Sequence, residues 1–327
     1  MIRRLCHAAA AAVLVLAAVS PAEARPPYRA PRTAAGQPDL QGTWNNLSMT
    51  RLERRPGAPL TFATRAEEAA FEASVDQAWA RDQSADVGQG ATEWVPQYPM
   101  ARIDGRLRSS WLVSPADGRL PWRPEARRRY DALIAAAELG AAANPEDLTP
   151  AARCLIGPGS TANPPMLNPP VAGGKQIVQT ATEVAILSEM NHDVRVIRLN
   201  GRHPPGNVRL WAGDSIGHWE GETLVVETTN FHPQEGFRYI MMMSPDARVI
   251  ERFTRVSKTE IRYRFEVDDP ATFTAPWRGE MPFLADKAPI YEFGCHEGNY
   301  SLPGILAAAR QADAASAGEG KVIGKGN

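Results

Sequence analysis

The chain has 327 residues, with 36 lysines and arginines against 37 aspartates and glutamates and a formal net charge of −1. No long run of one sign appears, so it carries no electrostatic footprint for nucleic acid and no basic helix for a membrane surface. A polypeptide of this length is ample for a buried core.

Residues 1–24 read as a secretory signal. Arg3 and Arg4 supply the positive start, Ala8 to Val19 the apolar run, and Ala22-Glu23-Ala24 a small-x-small cleavage site. The apolar run is too short for a permanent span, so no stable membrane insertion is expected after cleavage. The expected location is periplasmic or secreted. Cleavage leaves Cys154 and Cys295, which in an oxidising compartment most simply form one disulfide. The alternative is a reactive thiol at Cys295 beside His296.

Residues 25–37 are rich in Pro, Ala and Arg and read as a flexible leader. Residues 38–174 read as an N-terminal strand, a helical annex and a Pro/Gly-rich connection. Gly42-Thr43-Trp44 enters the strand. Thr64 can cap a helix over 64–85, with Glu67 three residues on. Pro124 opens and Gly140 closes a second helix. Residues 109–113 suggest a short strand. Residues 175–310 read as an antiparallel β-meander, with strands at about 175–181, 183–189, 194–200, 208–219, 222–231, 248–256, 260–268, 272–282 and 289–295. Turn signals such as Asn200-Gly201, Glu220-Gly221 and Asp269-Pro270 separate them. So many strands must close on themselves or pack on a second sheet. The expected fold is therefore mainly β: an antiparallel up-and-down β-barrel with an N-terminal helical annex. A short helix is expected from about 298 to 309, and residues 311–327 read as a disordered tail.

Charge placement points to chemistry. In the strand 248–256, Glu251 and Arg255 share a face with Val249 and Phe253, while Arg252 shares the other with Ile250. In 194–200, Arg195 and Arg198 lie on opposite faces. A buried charge needs a partner, so these residues form either an internal Glu–Arg pair or a substrate site. The mature chain has five histidines: His192, His203, His218, His232 and His296. His218 shares a face with Ile216 and enters the barrel if that face points inward. Glu189 and His192 are three apart in a hairpin turn. The expected catalytic set is His218, Glu251, Arg252, His192 and His296, with imidazole as base, carboxylate as its partner and arginine as anion stabiliser. Arg195, Trp219, Tyr263 and Glu297 are the expected substrate contacts. No zinc spacing, nucleophile elbow, phosphate loop or dinucleotide fingerprint is present, so neither metal nor cofactor is expected.

Five stretches carry a resemblance. They are Ser110-Trp-Leu-Val-Ser-Pro-Ala-Asp-Gly-Arg-Leu-Pro121, Gly213-Asp-Ser-Ile-Gly-His-Trp-Glu-Gly-Glu-Thr-Leu-Val-Val-Glu-Thr-Thr-Asn-Phe231, Glu251-Arg-Phe-Thr-Arg-Val256, Asp269-Pro-Ala-Thr-Phe-Thr-Ala-Pro-Trp277 and Tyr291-Glu-Phe-Gly-Cys-His-Glu-Gly-Asn-Tyr300. They resemble a widespread family of exported bacterial proteins of unknown function, and the motifs transfer no activity. In architecture, the Gly-Thr-Trp start and the meander resemble the lipocalin or calycin superfold, which holds carriers of hydrophobic molecules and cofactor-free enzymes. That likeness is one of fold and not of site. The expected function is a cofactor-independent enzyme of lyase, hydratase, isomerase or cyclase type, acting on a small hydrophobic or aromatic ligand inside the barrel. A non-catalytic carrier of a hydrophobic molecule is the alternative, and an envelope-interaction module is a third reading.

Overall fold

In the computed structural model the described residues are 28–85, 96–139, 142–157, 163–169, 171–236 and 240–322. The secretory signal and its cleavage site lie outside them.

Alternation builds the sheet. In β11 (Glu260–Asp268), Ile261, Tyr263, Phe265 and Val267 are buried, while Arg264 and Glu266 point away from the core, as a period of two requires. β10 (Arg248–Arg255) follows the same rule with Val249, Glu251 and Phe253 inside. Seven further strands complete the ring: β1 (Gly42–Asn45), β5 (Gly174–Gln179), β6 (Glu183–Ser188), β7 (Val194–Leu199), β8 (Asp214–Glu220), β9 (Thr223–Thr229) and β12 (Trp277–Ala285). The order is β1-β5-β6-β7-β8-β9-β10-β11-β12, and β12 pairs back onto β1 through Trp44 opposite Ala285. The protein is mainly β, built on a closed nine-stranded barrel.

It is not uniformly antiparallel. β7 and β8 run parallel, with Ile197 opposite Ser215 and Leu199 opposite Gly217. The reason is parity: strand directions cannot alternate all the way round an odd-numbered ring. A parallel pair cannot be joined by a tight turn, and residues 200–213 make the crossover. Residues 208–213, expected as the start of a strand, therefore belong to that connection. The stretch 289–295, also expected as a strand, pairs with nothing in the barrel. β12 has β11 on one side and both β1 and β4 (Leu112–Ser114) on the other, so no edge is left for it. Residues 272–276 are a turn before β12 rather than its first half.

The N-terminal half lies against the outer face. Helix α1 (Arg65–Ala85) starts with a reciprocal cap: the Glu67 amide donates to Thr64 Oγ1 at 3.2 Å and the Thr64 amide to Glu67 Oε2 at 3.0 Å. The hairpin β2 (Arg102–Ile103) and β3 (Arg106–Leu107) brings Asp104 onto β11, where Arg262 Nη2 donates to Asp104 Oδ1 at 2.9 Å. Helix α2 spans Pro124–Leu139. Residues 28–37, expected to be flexible, dock on the β8–β9 turn through Arg32 and the Ala30 amide, both on Glu222. The disulfide Cys154–Cys295 forms as expected and anchors α3 (Cys295–Gly298). The tail expected from 311 continues as helix: α4 runs Ser301–Val322. Among the described residues no helix is long and apolar enough to cross a membrane.

The lumen is filled. Phe253, Tyr263 and Phe283 stack at 4.9 and 5.0 Å between centroids, Phe265 meets Trp277 edge-on at 5.7 Å, and Trp44 lies under the Arg255 guanidinium. The Pro-rich stretch 163–169, expected only as a connection, inserts Met166 and Leu167 into this core. Lys175 is buried among them. Its ammonium donates to Asn46 Oδ1 at 3.0 Å and the Gly173 carbonyl at 3.3 Å, and faces the Phe283 ring. Burial pulls its pKa down to about 7, against the opposing pull of Glu189.

This gives a signed expectation. Between pH 7 and the usual lysine value near 10.5, the unfolded chain holds a proton that the folded chain has released. Stability therefore rises with pH across that window, by about 1.4 kcal/mol per unit at most. Urea unfolding at about pH 7 and pH 9.5 should show the rise in the parent protein and a loss of that slope in Lys175→Met. An equal slope in both proteins would rule out Lys175 as its source.

Candidate functional site

The expected site residues fall in three separate places. The first is the lumen. Arg195 on β7 and Glu251 on β10 form an ion pair with side chains 1% and 0% exposed. Arg195 Nη1 donates to Glu251 Oε1 at 2.9 Å and Nη2 to Glu251 Oε2. Its Nε donates to Ser215 Oγ at 2.9 Å, Nη2 to Thr228 Oγ1 at 3.0 Å, and Nη1 also reaches Met166 Sδ at 3.5 Å. A guanidinium has five N–H donors, and all five are used. Tyr263 donates its hydroxyl to Glu251 Oε1 at 2.7 Å and accepts the Met166 amide at 2.8 Å. Burial, reinforced by the Glu251 charge, pushes the Tyr263 phenol well above its usual value. Of the two readings of these charges, the geometry matches the internal pair: every partner is protein, and none is left over for a ligand.

The second place is the C-terminal segment. His192 is exposed in a 3-10 turn at 190–192, and its Nε2 accepts the Phe293 amide at 3.0 Å. His296 and Glu297 are exposed in α3 beside the disulfide. These residues are not brought near His218 or Glu251 by any contact. Trp219 sits on the inner side of β8, half-buried against the core.

The third place is the outer face. His218 points outward rather than into the barrel and is 53% exposed. The inward positions of β8 are taken by Ser215 and Gly217. Here a groove of about 1170 Å³ runs over β8 to β12, walled by Leu60 and Arg108 on one side and by Asn200 and Gly201 on the other. The strand registers set two rows across it. One reads His218, Val225, Arg252, Arg264, Glu280; the next reads Ile216, Glu227, Ile250, Glu266, Arg278. So His218 and Arg252 do share a site, joined by Glu220, which the sequence reading passed over. Arg252 Nη1 donates to Glu220 Oε2 at 2.6 Å, and His218 Nε2 lies 3.2 Å from Glu220 Oε1. Arg252 first and His218 second hold the Glu220 carboxyl below its ordinary value.

A second imidazole stands beside this groove. His203 lies in the β7–β8 crossover, 19% exposed, with Nδ1 2.6 Å from Oδ2 of buried Asp214. A carboxylate only accepts, so Nδ1 carries the hydrogen, and in the neutral ring Nε2 holds the lone pair. That Nε2 is buried, has no hydrogen-bond partner among the described residues, and lies 3.3 Å from Oε1 of Glu227, through which it borders the groove that Glu227 lines. Asp214 is fixed in turn by Arg198 Nη2 at 2.9 Å. The crossover is pinned where it matters: Asn230 Nδ2 donates to the Pro204 carbonyl, and Trp211 stacks on His232 at 4.1 Å. Gly213 permits the re-entry into β8. Its φ is +70°, and a Cβ there would meet Thr228 and Phe231 at 2.7 and 2.8 Å.

A carboxylate that orients an imidazole from behind leaves the other nitrogen as a base. His203 and Asp214 were not singled out from sequence. Asp214 sits inside the long Gly213–Phe231 motif, which was the available signal; His203, eleven residues earlier in a Gly/Pro-rich stretch, had none. Among the described residues no three His, Cys, Asp or Glu side chains gather as a metal-ligand set. No family model matches the chain, and neither a curated protein nor a solved structure is similar to it.

The lumen pair makes a stability prediction. Glu251→Ala strands a buried guanidinium and should cost about 3–5 kcal/mol, read as a lower midpoint in urea denaturation. Glu251→Gln, which keeps one acceptor, should cost less. A loss below about 1 kcal/mol for the alanine variant would mean that the pair does not hold the barrel together.

Proposed function

We propose that the protein is an enzyme that moves a proton on a small organic molecule held in the outer groove, with His203 as the base and Asp214 as its orienting partner. The observation that carries this reading is the short contact of His203 Nδ1 with buried Asp214, while its Nε2 stands 3.3 Å from Glu227, a residue that lines the groove. Such a group contributes typically 10²–10⁴-fold to a proton transfer. The apolar floor of Ile216, Val225 and Ile250 suits a substrate with an apolar body, and His218 with Glu220 offers a second proton carrier. Lyase or isomerase chemistry fits one imidazole that lines the groove, His218, and a second, His203, that reaches its wall at Glu227. The site is thus displaced from the barrel interior to the outside of its wall.

Aromatic side chains and the 163–169 insert occupy the lumen, which gives the carrier reading less support than the groove gives the enzyme. We read the barrel as a variant of the lipocalin or calycin architecture with one parallel seam. Export belongs to the same proposal: the sequence opens with a signal pattern, and the Cys154–Cys295 bond suits an oxidising compartment.

The test is a mass-spectrometric screen of the purified protein against small acids, ketones and amides in D2O, scoring mass change or conversion. The parent protein should turn over at least one compound. His203→Asn and Asp214→Asn should each slow it by about 100-fold or more, while His296→Asn leaves the rate unchanged. Undiminished turnover in a folded His203→Asn protein would remove the assignment.

A further inference from the structure

One feature of the groove is not used by the proton-transfer chemistry. Arg252 and Arg264 are direct cross-strand partners on β10 and β11 and point the same way into it. Like charges placed directly opposite each other destabilise a sheet. Each is tied only on its far side: Arg252 Nη1 to Glu220 at 2.6 Å and Arg264 Nε to Glu280 at 2.8 Å. Their remaining guanidinium donors have no acceptor among the described residues. Glu280 does not neutralise Arg264 alone, because Arg108 and Arg262 also bind it, at 2.6 and 3.4 Å. The nearest unpaired acid on this face, Glu266, stands opposite Ile250 and Arg278 and not opposite the arginine pair. Two guanidinium forks with free donors therefore stand side by side in the groove, 44% and 57% exposed, with no acid directly opposite them on β10 or β11.

We propose that Arg252 and Arg264 together bind the carboxylate of a small organic acid, whose apolar body lies on Ile250. This rests on the groove being the site of turnover, and it names the substrate class. A carboxylate offers two oxygens and accepts in bidentate fashion from planar guanidinium forks. The register limits the rest of the molecule. Strands lie about 4.8 Å apart, so His218, two strands from Arg252, is roughly 10 Å along the row. Glu220 already bridges that span, so the apolar body of the acid, one aromatic ring, extends from the arginine pair over Ile250 in the neighbouring row.

The test is calorimetric titration of the full chain with benzoate, its uncharged analogue benzamide and inorganic phosphate. Benzoate should bind with a dissociation constant of about 1 mM or tighter, and benzamide about tenfold or more weakly. Arg252→Gln and Arg264→Gln, checked for folding by thermal melting, should each weaken benzoate about tenfold, and Arg252→Lys should retain part of the binding. His203→Asn should bind benzoate like the parent protein. Equal affinity for benzoate and benzamide, no benzoate heat at about 10 mM, or unchanged binding in both folded glutamine variants would overturn the site. Phosphate binding as tightly as benzoate would overturn the organic-acid assignment, since it shows no use of the apolar floor. Benzoate binding that holds while no acid is turned over would count against the enzyme reading and leave the anion site standing.

Discussion

A strand in a ring has two edges to satisfy, and an odd ring can satisfy them only by letting two neighbours run the same way. That constraint governs this protein. It places a parallel seam between β7 and β8, and the seam demands a crossover, since parallel neighbours cannot be joined by a tight turn. The crossover is long enough to carry side chains of its own over the sheet. It brings His203 down on Asp214, at the first residue of β8, and lays Asn200 and Gly201 along the rim of the groove. An all-antiparallel barrel of eight or ten strands could close this point with a tight hairpin; the parallel seam cannot.

Buried charge in this molecule does two different jobs, and geometry separates them. Arg195 spends every donor on protein acceptors from β8, β9, β10 and the 163–169 insert, so it fastens four pieces of chain at one point. Tyr263 and Asn46 extend that fastening through the amide and carbonyl of Met166. An ion pair of this kind adds little net stability over an apolar replacement, yet breaking one half of it is costly. On the outer face the arginines are only half used. Unspent donors beside solvent are what a binding surface offers, and spent donors in a packed interior are what a scaffold needs.

Much of the architecture was readable from period and turn chemistry. Ile261 to Val267 alternates cleanly because one face of β11 meets the core and the other meets water. Thr64 with Glu67 and Pro124 marked both long N-terminal helices near their observed starts. What was not readable depends on contacts between distant residues. The closure of β12 on β1 joins Leu284 to Asn45, and nothing local in either segment requires it. The β-prone Ile290, Tyr291 and Phe293 therefore read locally as a last strand. His218 was given the right face-mate in Ile216 but the wrong side, because β8 has an apolar residue on each face, Ile216 outside and Trp219 inside. Periodicity fixes which residues share a face and leaves open which face is buried. The Glu251 and Arg195 charges, on the wrong faces for simple strands, were informative in themselves; that they would find each other was one of the two outcomes the pattern allowed.

The bond between Cys154 and Cys295 has a topological effect beyond anchoring α3. It closes a covalent loop of chain that contains β5 to β12, eight of the nine barrel strands. β1 lies outside that loop and is held between its first and last strands by backbone hydrogen bonds, the buried Trp44 and the Asn45–Asp286 contact, with no covalent bond across. A protease that nicks the loop once leaves both fragments tethered through sulfur, free to re-pair in place. A cut just after β1 is different: it frees the only stave of the cylinder with no covalent hold on the others.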